Sequence, residues 1–225
     1  MRTLILLLTL FLPISGARAE LLLPVPARPD AMMSALTAEV MAVLNKDAGA
    51  ARTNEFAQLI ERRIVPVFDF QRMTRLALGR TWRTASAAQQ EALVAQFKTL
   101  LVRTYSSALL DYRDQPIDYK PLRAAAGETE VTVRSAMRRP GVEPLTIDYD
   151  MAEDLAGWRV YDVKIAGVSV VLAYRESFAA TVRAGGIDGL IKALRDKNRQ
   201  NEAGADARRL APMLILYGMP RTAGP

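Results

Sequence analysis

The sequence predicts an α+β domain in which helices pack on a curved antiparallel sheet. Apolar residues recur at the helical spacing of 3.6 residues up to about residue 112, and then alternate with a period of two from about residue 115 to residue 173. Helical spacing returns after residue 174, so the order is helices, a meander of strands, and helices again. A sheet that wraps around a long helix can enclose a cone-shaped cavity.

Three helices are predicted before the longest one. Asp30 is a plausible N-cap for a helix from about Ala31 to Asn45. The second helix is expected over Thr53–Ile64, where Pro66 stops it, and the third over Asp69–Leu78, where Gly79 ends it.

The strongest periodic signal belongs to a long helix from about Ala87 to Tyr112. It begins at a capping box formed by Ser86 and Gln89. Its apolar stripe consists of Leu93, Phe97, Leu100, Leu101, Tyr105, Ala108, Leu109 and Tyr112.

Five strands follow, over Gln115–Leu122, Thr129–Arg138, Leu145–Met151, Trp158–Ile165 and Val168–Ala173. The short turns between the later strands, such as Pro140-Gly141 and Ala166-Gly167, predict hairpins and therefore an antiparallel sheet. The alternation slips within Trp158–Ile165, which either a β-bulge or burial of both faces would explain. Two helices, Tyr174–Ala184 and Asp188–Asn201, close the domain on either side of Gly185-Gly186.

The predicted organisation is a signal peptide over residues 1–19, an extended arm over 20–30, the α+β domain over 31–201 and a tail over 202–225. Arg2, the apolar run from Leu4 to Ile14 and the Ala17-Arg18-Ala19 site have the layout of a secretory signal peptide. In the tail, Leu210–Met219 is too short to span a membrane and is expected to pack as an extra strand or to contact a partner or a membrane.

The composition excludes several function classes. The sequence contains no His and no Cys, so a Ser-His-Asp triad and a His-ligated zinc site are excluded and no metal site is predicted. Cleavage after Ala19 removes two of the 30 basic residues, which leaves 28 against 24 acids and a net charge of +4. A nucleic-acid-binding domain would usually carry a denser basic stripe.

Carboxylates and tyrosines are the remaining candidates for catalysis. Asp148 and Asp150 share one face of a strand, which is typical of a solvated surface. Asp162 lies between apolar residues, so it could act as a general base with Tyr161 or Tyr149, as in a cone-shaped isomerase or dehydratase. It could equally bond a neighbouring backbone group or an arginine.

A set of motifs resembles a known family. The motifs are Leu76–Trp82 followed by Gln89, Phe97 and Tyr105, then Trp158–Ile165, Gly167–Ser169, Tyr174-Arg175 with Phe178, and Gly186–Ile191. In this order and spacing they resemble the MlaC-type periplasmic phospholipid-binding proteins, also called the toluene-tolerance auxiliary family. The match runs from about Ala31 to Asn201.

The resemblance implies a helical bundle packed on a sheet similar to that of nuclear transport factor two, with a deep apolar pocket for acyl chains. It implies a monomeric periplasmic shuttle, without cofactor or catalytic residues, that carries phospholipid between an outer-membrane lipoprotein complex and an inner-membrane ABC transporter. A related branch accompanies hopanoid genes, so a sterol-like cargo is an alternative.

The resemblance, together with the apolar stripe of the long helix and the apolar faces of the strands taken as a whole, suggests the binding residues. Those expected to line the pocket are Phe97, Leu101, Tyr105, Val131, Val133, Leu145, Ile147, Val163, Val170 and Leu172. Those expected to contact a phosphate head group or an acidic partner are Arg80, Arg83, Arg134 and Arg138.

Overall fold

The computed structural model describes residues 28–46, 54–111, 115–125 and 127–202. Helix α1 spans Pro29–Lys46, so it begins slightly earlier than predicted, with Pro29 in the first-turn position that tolerates proline. Asp30 is therefore not the N-cap. Its carboxylate instead accepts hydrogen bonds from the Arg28 guanidinium (3.1 Å) and the Leu122 amide (3.0 Å), which ties the start of α1 to the segment after the first strand.

The second predicted helix is a composite. Helix α2 spans Asn54–Leu59 and continues as a π-helical turn over Ile60–Ile64 and a 3-10 turn over Val65–Val67. Pro66 lies in the 3-10 turn, where its missing N–H breaks no α-helical hydrogen bond. The predicted boundary near Ile64 is thus a change of helix type.

The predicted end of α3 at Gly79 and the predicted capping box at the start of α4 are both confirmed. Helix α3 spans Phe70–Leu78, with Asp69 accepting a hydrogen bond from the Arg72 amide at 2.8 Å and Gly79 ending it at φ 58°. A 3-10 turn over Gly79–Thr84 leads to α4, Ala87–Asp111. The capping box is reciprocal, because the backbone amide of Gln89 donates to Ser86 Oγ (3.2 Å) and the backbone amide of Ser86 donates to Gln89 Oε1 (3.0 Å).

The strands form an antiparallel sheet in the order β1-β2-β3-β4-β5. Their bounds are Ile117–Tyr119, Glu130–Arg139, Val142–Asp154, Gly157–Ile165 and Val168–Ser169. Consecutive strands pair as hairpins, with Val133 opposite Tyr149 in β2–β3 and Tyr149 opposite Val163 in β3–β4.

The slip in the alternation of β4 is a β-bulge. Asp150 pairs with Asp162 and Met151 pairs with Val160, so Tyr161 is an extra residue that β3 does not match. As a result, Tyr161 and Asp162 lie on the same face of the sheet. The bulge confirms the first of the two predicted explanations.

The strand predicted over Val168–Ala173 is wrong beyond Ser169. Residues Val170–Ala173 form a short helix, α5, with Ser169 as its N-cap accepting a hydrogen bond from the Leu172 amide at 2.9 Å. Asp162 Oδ1 accepts another from the Val171 amide at 3.2 Å. These two side chains satisfy the amides of the first turn, which favours a helix despite the β-branched valines.

The last two predicted helices are the halves of α6, Arg175–Glu202, which bends at Gly186 (φ 69°, ψ −172°). Helix α4 packs against α6 and α3, while α1, α3 and α5 contact the sheet. The predicted signal peptide, residues 20–27 of the arm and residues 203–225 of the tail lie outside the described residues. Within the described ranges, every helix is too short or too polar to cross a membrane.

Candidate functional site

The inner face of the sheet, which is the face toward the helices, is apolar. Its register brings together Val131, Val133 and Met137 of β2, Leu145, Ile147, Tyr149 and Met151 of β3, and Val160, Val163 and Ile165 of β4. Four of these residues, Val131, Val133, Met151 and Val160, pack with Met33 of α1 in a buried group that we call the sheet cluster. Met137 and Leu145 are buried at the other end of the strands.

A second apolar group, the helical cluster, joins α3, α4, α5 and α6. At its centre Phe97 is fully buried and meets the rings of Tyr174 and Phe178 edge-on, each with centroids 5.1 Å away. Leu93, Leu101 and Leu190 surround this aromatic group. The long helix thus directs its stripe mainly at other helices.

Four half-buried side chains pack against the helical cluster where it meets the sheet, namely Tyr105 of α4, Val163 and Ile165 of β4, and Tyr174 between α5 and α6. Half-buried Ile147 of β3 pairs with Ile165 and packs beside Met137 and Leu145, and we call these five side chains the seam. Val163 packs against both clusters, and Ile165 packs against both the helical cluster and the Met137–Leu145 group. Because solvent still reaches these apolar side chains, an apolar ligand bound here would remove them from water.

The predicted lining residues divide between the seam and the closed core. Tyr105, Ile147 and Val163 belong to the seam. Buried within clusters are Phe97, Leu101, Val131, Val133, Leu145 and Val170. Leu172 is 46% exposed on α5, so neither it nor Val170 lies on a strand as expected.

Tyr174 was missed as a seam residue. The available signal was its spacing from Phe178, since aromatic residues four apart share one face of a helix. Its distance from Phe97 in the sequence hid the contact between their rings.

The polar atoms of the inner face bond to one another. The hydroxyls of Thr37 and Tyr119 are 2.6 Å apart, Tyr119 and Tyr149 are hydrogen-bonded, and Ser135 donates to the Ile147 carbonyl at 2.7 Å. Burial raises the pKa of Tyr149 well above its usual value, and its bond to Ser135 opposes that rise only in part. These groups stay neutral, so the face remains suitable for an apolar ligand.

Asp162, the candidate general base, lies on the outer face of the sheet, whereas Tyr149 lies on the inner face. It is 5% exposed, and Oδ1 accepts hydrogen bonds from the amides of Val163 (2.8 Å) and Val171 (3.2 Å). Ser169 adds a side-chain hydrogen bond. Burial raises the pKa of Asp162, with a smaller contribution from the charge of Asp150.

Tyr161, the other tyrosine proposed to act with Asp162, is also engaged. The Arg72 guanidinium lies 3.6 Å from the centre of its ring, and its hydroxyl donates to Glu130 at 3.2 Å. Asp162 therefore binds Ser169 of β5 and the first turn of α5, and neither predicted tyrosine joins it in a pocket. This arrangement favours a structural role for the carboxylate over a catalytic one.

The four predicted head-group arginines lie in two separate parts of the fold. Arg80 and Arg83 are exposed in the 3-10 turn after α3. Arg134 and Arg138 are exposed on the outer face of β2, where Arg138 pairs with Asp118 at 2.7 Å. They do not form one phosphate site beside the seam.

Comparison with known proteins identifies relatives over most of the described residues. Residues 34–196 match the family described as MlaC protein. The toluene tolerance protein ttg2D of Pseudomonas putida is 26% identical over 165 residues, which cover 71% of this chain and 75% of that protein. The intermembrane phospholipid transport system binding protein MlaC of Haemophilus influenzae is 24% identical over 150 residues, 65% of this chain and 70% of that protein.

A solved structure has the same fold. It is the phospholipid-binding protein from Ralstonia solanacearum in complex with a phospholipid, which superposes with a TM-score of 0.70 at 37% sequence identity. The superposition covers 78% of this chain and 99% of that one.

Proposed function

Since this chain belongs to the MlaC protein family, we propose that it is a periplasmic carrier that binds phospholipid by its acyl tails and performs no chemistry on it. The tails would enter at the seam, between the inner face of the sheet and the helical cluster. The observation that carries the proposal is the set of half-buried apolar side chains at this junction, in a fold shared with a protein solved in complex with a phospholipid.

The energetics of carriage require a broad apolar surface. Exposing roughly 30 methylenes of a two-tailed lipid to water, at ~0.8 kcal/mol each, costs on the order of 20 kcal/mol. A carrier offsets this cost by enclosing the tails, and polar atoms without partners on the lining would work against it. The hydrogen-bonded hydroxyls of Thr37, Tyr119 and Ser135 meet that condition on the inner face.

Export and partners complete the proposal. The signal-peptide pattern of residues 1–19 supports release into the periplasm after cleavage near Ala19. A periplasmic carrier of phospholipid must exchange its cargo at both membranes. We assign the exchange to an inner-membrane ABC transporter complex and an outer-membrane lipoprotein complex.

The direct test is to purify the protein from periplasm, extract it with organic solvent and identify the extract by mass spectrometry. We expect phospholipid in a fixed ratio to protein. A hopanoid in the extract would keep the carrier role and change the cargo. A protein that arrives empty and takes no lipid from phospholipid vesicles would refute the proposal.

A substitution at the seam separates lipid binding from folding. Ile147→Trp places a larger side chain in the space proposed for the tails, and it should lower the bound lipid severalfold at a cost in stability of about 1–3 kcal/mol. Thr146→Trp is the matched control, because Thr146 is exposed on the opposite face of the same strand.

Lipid content and melting temperature are measured for both variants. Normal lipid content in folded Ile147→Trp would remove the seam from the proposal. Val133→Arg or Leu101→Arg would be a poor test of lipid binding, since both wild-type side chains are buried and a charge there would destabilise the fold itself.

A further inference from the structure

A groove of about 350 Å³ crosses the outer face of the sheet, on the side opposite the seam. We call it the outer groove. Thr132 and Asp150 form its floor, Tyr161 and Lys164 of β4 border one side, and Arg123 of the segment after β1 borders the other. The groove is polar, so it does not suit acyl tails.

Three of the six charged side chains that line the outer groove, those of Glu130, Asp150 and Lys164, are already in ion pairs. Asp150 accepts a hydrogen bond from Thr132 Oγ1 (2.8 Å) and forms an ion pair with Lys164 Nζ (2.7 Å). Glu130 forms an ion pair with Arg72 at 2.8 Å and accepts a hydrogen bond from the Tyr161 hydroxyl. These contacts fix the floor and one wall, and they leave the paired groups little capacity for a ligand.

Two guanidinium groups at the groove remain available. Arg123 and Arg134 both line it, are exposed, and have no side-chain partner among the described residues. Glu128, also in the lining, accepts a hydrogen bond from the Ala125 amide at 2.9 Å. Guanidinium stays charged at any physiological pH and offers a planar fork of donors that matches a carboxylate.

We propose that the outer groove docks an acidic segment of a partner protein, whose carboxylates bind Arg123 and Arg134. Arg134 lies on β2 and Arg123 in the segment after β1, so each guanidinium can bind a separate carboxylate of one extended acidic segment. The groove is open to solvent, which gives an extended segment room to place successive acidic residues.

The site is independent of lipid carriage, because the outer groove and the seam lie on opposite faces of the sheet. A docked partner would leave the seam free for exchange of cargo. The proposal would also hold if the cargo were not a phospholipid.

The probe is an N-acetylated, fluorescein-labelled peptide of ten glutamates, titrated with the mature chain at low salt and followed by fluorescence anisotropy. Arg123→Gln/Arg134→Gln should weaken binding roughly tenfold or more, since both charge-assisted contacts are lost. The matched control is Arg80→Gln/Arg83→Gln, which removes the same charge from the 3-10 turn after α3 and should change the affinity less than about twofold. Both variants should have the same melting temperature as the wild type, because all four side chains are exposed.

Three outcomes would overturn the proposal. An equal loss in both variants would mean that the peptide senses only net charge. Displacement of the peptide by sodium phosphate, beyond that caused by sodium chloride of equal ionic strength, would identify a phosphate site. Absence of binding to the wild type at low salt would exclude an acidic ligand altogether. Lipid-loaded and delipidated protein should bind the peptide equally.

Discussion

The two faces of the sheet are built from the same strands but are closed by different interactions. On the inner face, Val133 and Met151 are sealed by packing against α1, and the seam beside them stays partly open. On the outer face, Asp150 and Asp162 are buried almost as well, although both carry a carboxylate. Directional interactions stabilise these carboxylates. Lys164 and Thr132 bind Asp150, and backbone amides donate hydrogen bonds to Asp162.

This difference indicates where ligands of each kind can bind. Apolar packing is non-directional, so a lipid tail can replace contacts with side chains or water at modest cost. Hydrogen bonds and ion pairs are specific, so the outer face can accept only a ligand that satisfies the groups left over. We therefore expect apolar cargo on the inner face and charged partners on the outer face.

The largest effect should follow from placing a charge on the inner face. Val133→Arg buries a guanidinium without a partner at a fully buried position and should destabilise the protein by about 4 kcal/mol or more. Arg134→Val, the next residue on the exposed outer face, should change stability by about 0.5 kcal/mol at most. Urea unfolding of both variants measures the contrast, and similar losses would mean that the two faces are not distinct.

An intermediate effect is expected at the carboxylate that holds α5. Asp162→Ala leaves the amides of Val163 and Val171 without their acceptor and should cost about 2–3 kcal/mol. Asp162→Asn keeps one acceptor oxygen, so its cost should be about 1 kcal/mol or less. Unfolding free energies distinguish the two variants, and equal losses would show that the negative charge of Asp162, rather than its hydrogen bonds, stabilises the fold.

The smallest effect is the pH dependence that Asp162 contributes. Burial raises its pKa in the folded state, so the folded protein binds this proton more tightly than the unfolded chain does. The resulting stabilisation is fully present below the unfolded pKa of Asp and is lost as the pH rises through the folded pKa. The stability of the wild type relative to Asp162→Asn should therefore increase as the pH falls from 7 toward about 4. A difference that stays constant or shrinks would contradict the raised pKa.

Local patterns in the sequence were sufficient for most of the secondary structure. The capping box at Ser86, the stop at Gly79 and the slip that marks the bulge each depend on residues close together in the chain. Alternation also placed Val133 and Arg134 on opposite faces. Such features could be predicted because propensity, capping and side-chain period act over a few residues.

Contacts between distant residues decided the rest. Asp30 was expected to cap α1, but it binds the Leu122 amide across the fold. Val168–Ala173 has the composition of a strand, yet Ser169 and the distant Asp162 turn its second half into a helix.

The sequence by itself determined the α+β order of elements, the period of each strand and the absence of His- and Cys-based chemistry. Only the tertiary structure decided that Val131, Val133 and Leu145 are closed core while Tyr105, Ile147 and Val163 form a partly open seam. Alternation specifies which side chains share a face, whereas their exposure depends on which distant helix packs against them. The same reason explains why Tyr174 and the outer groove became evident only in the folded chain.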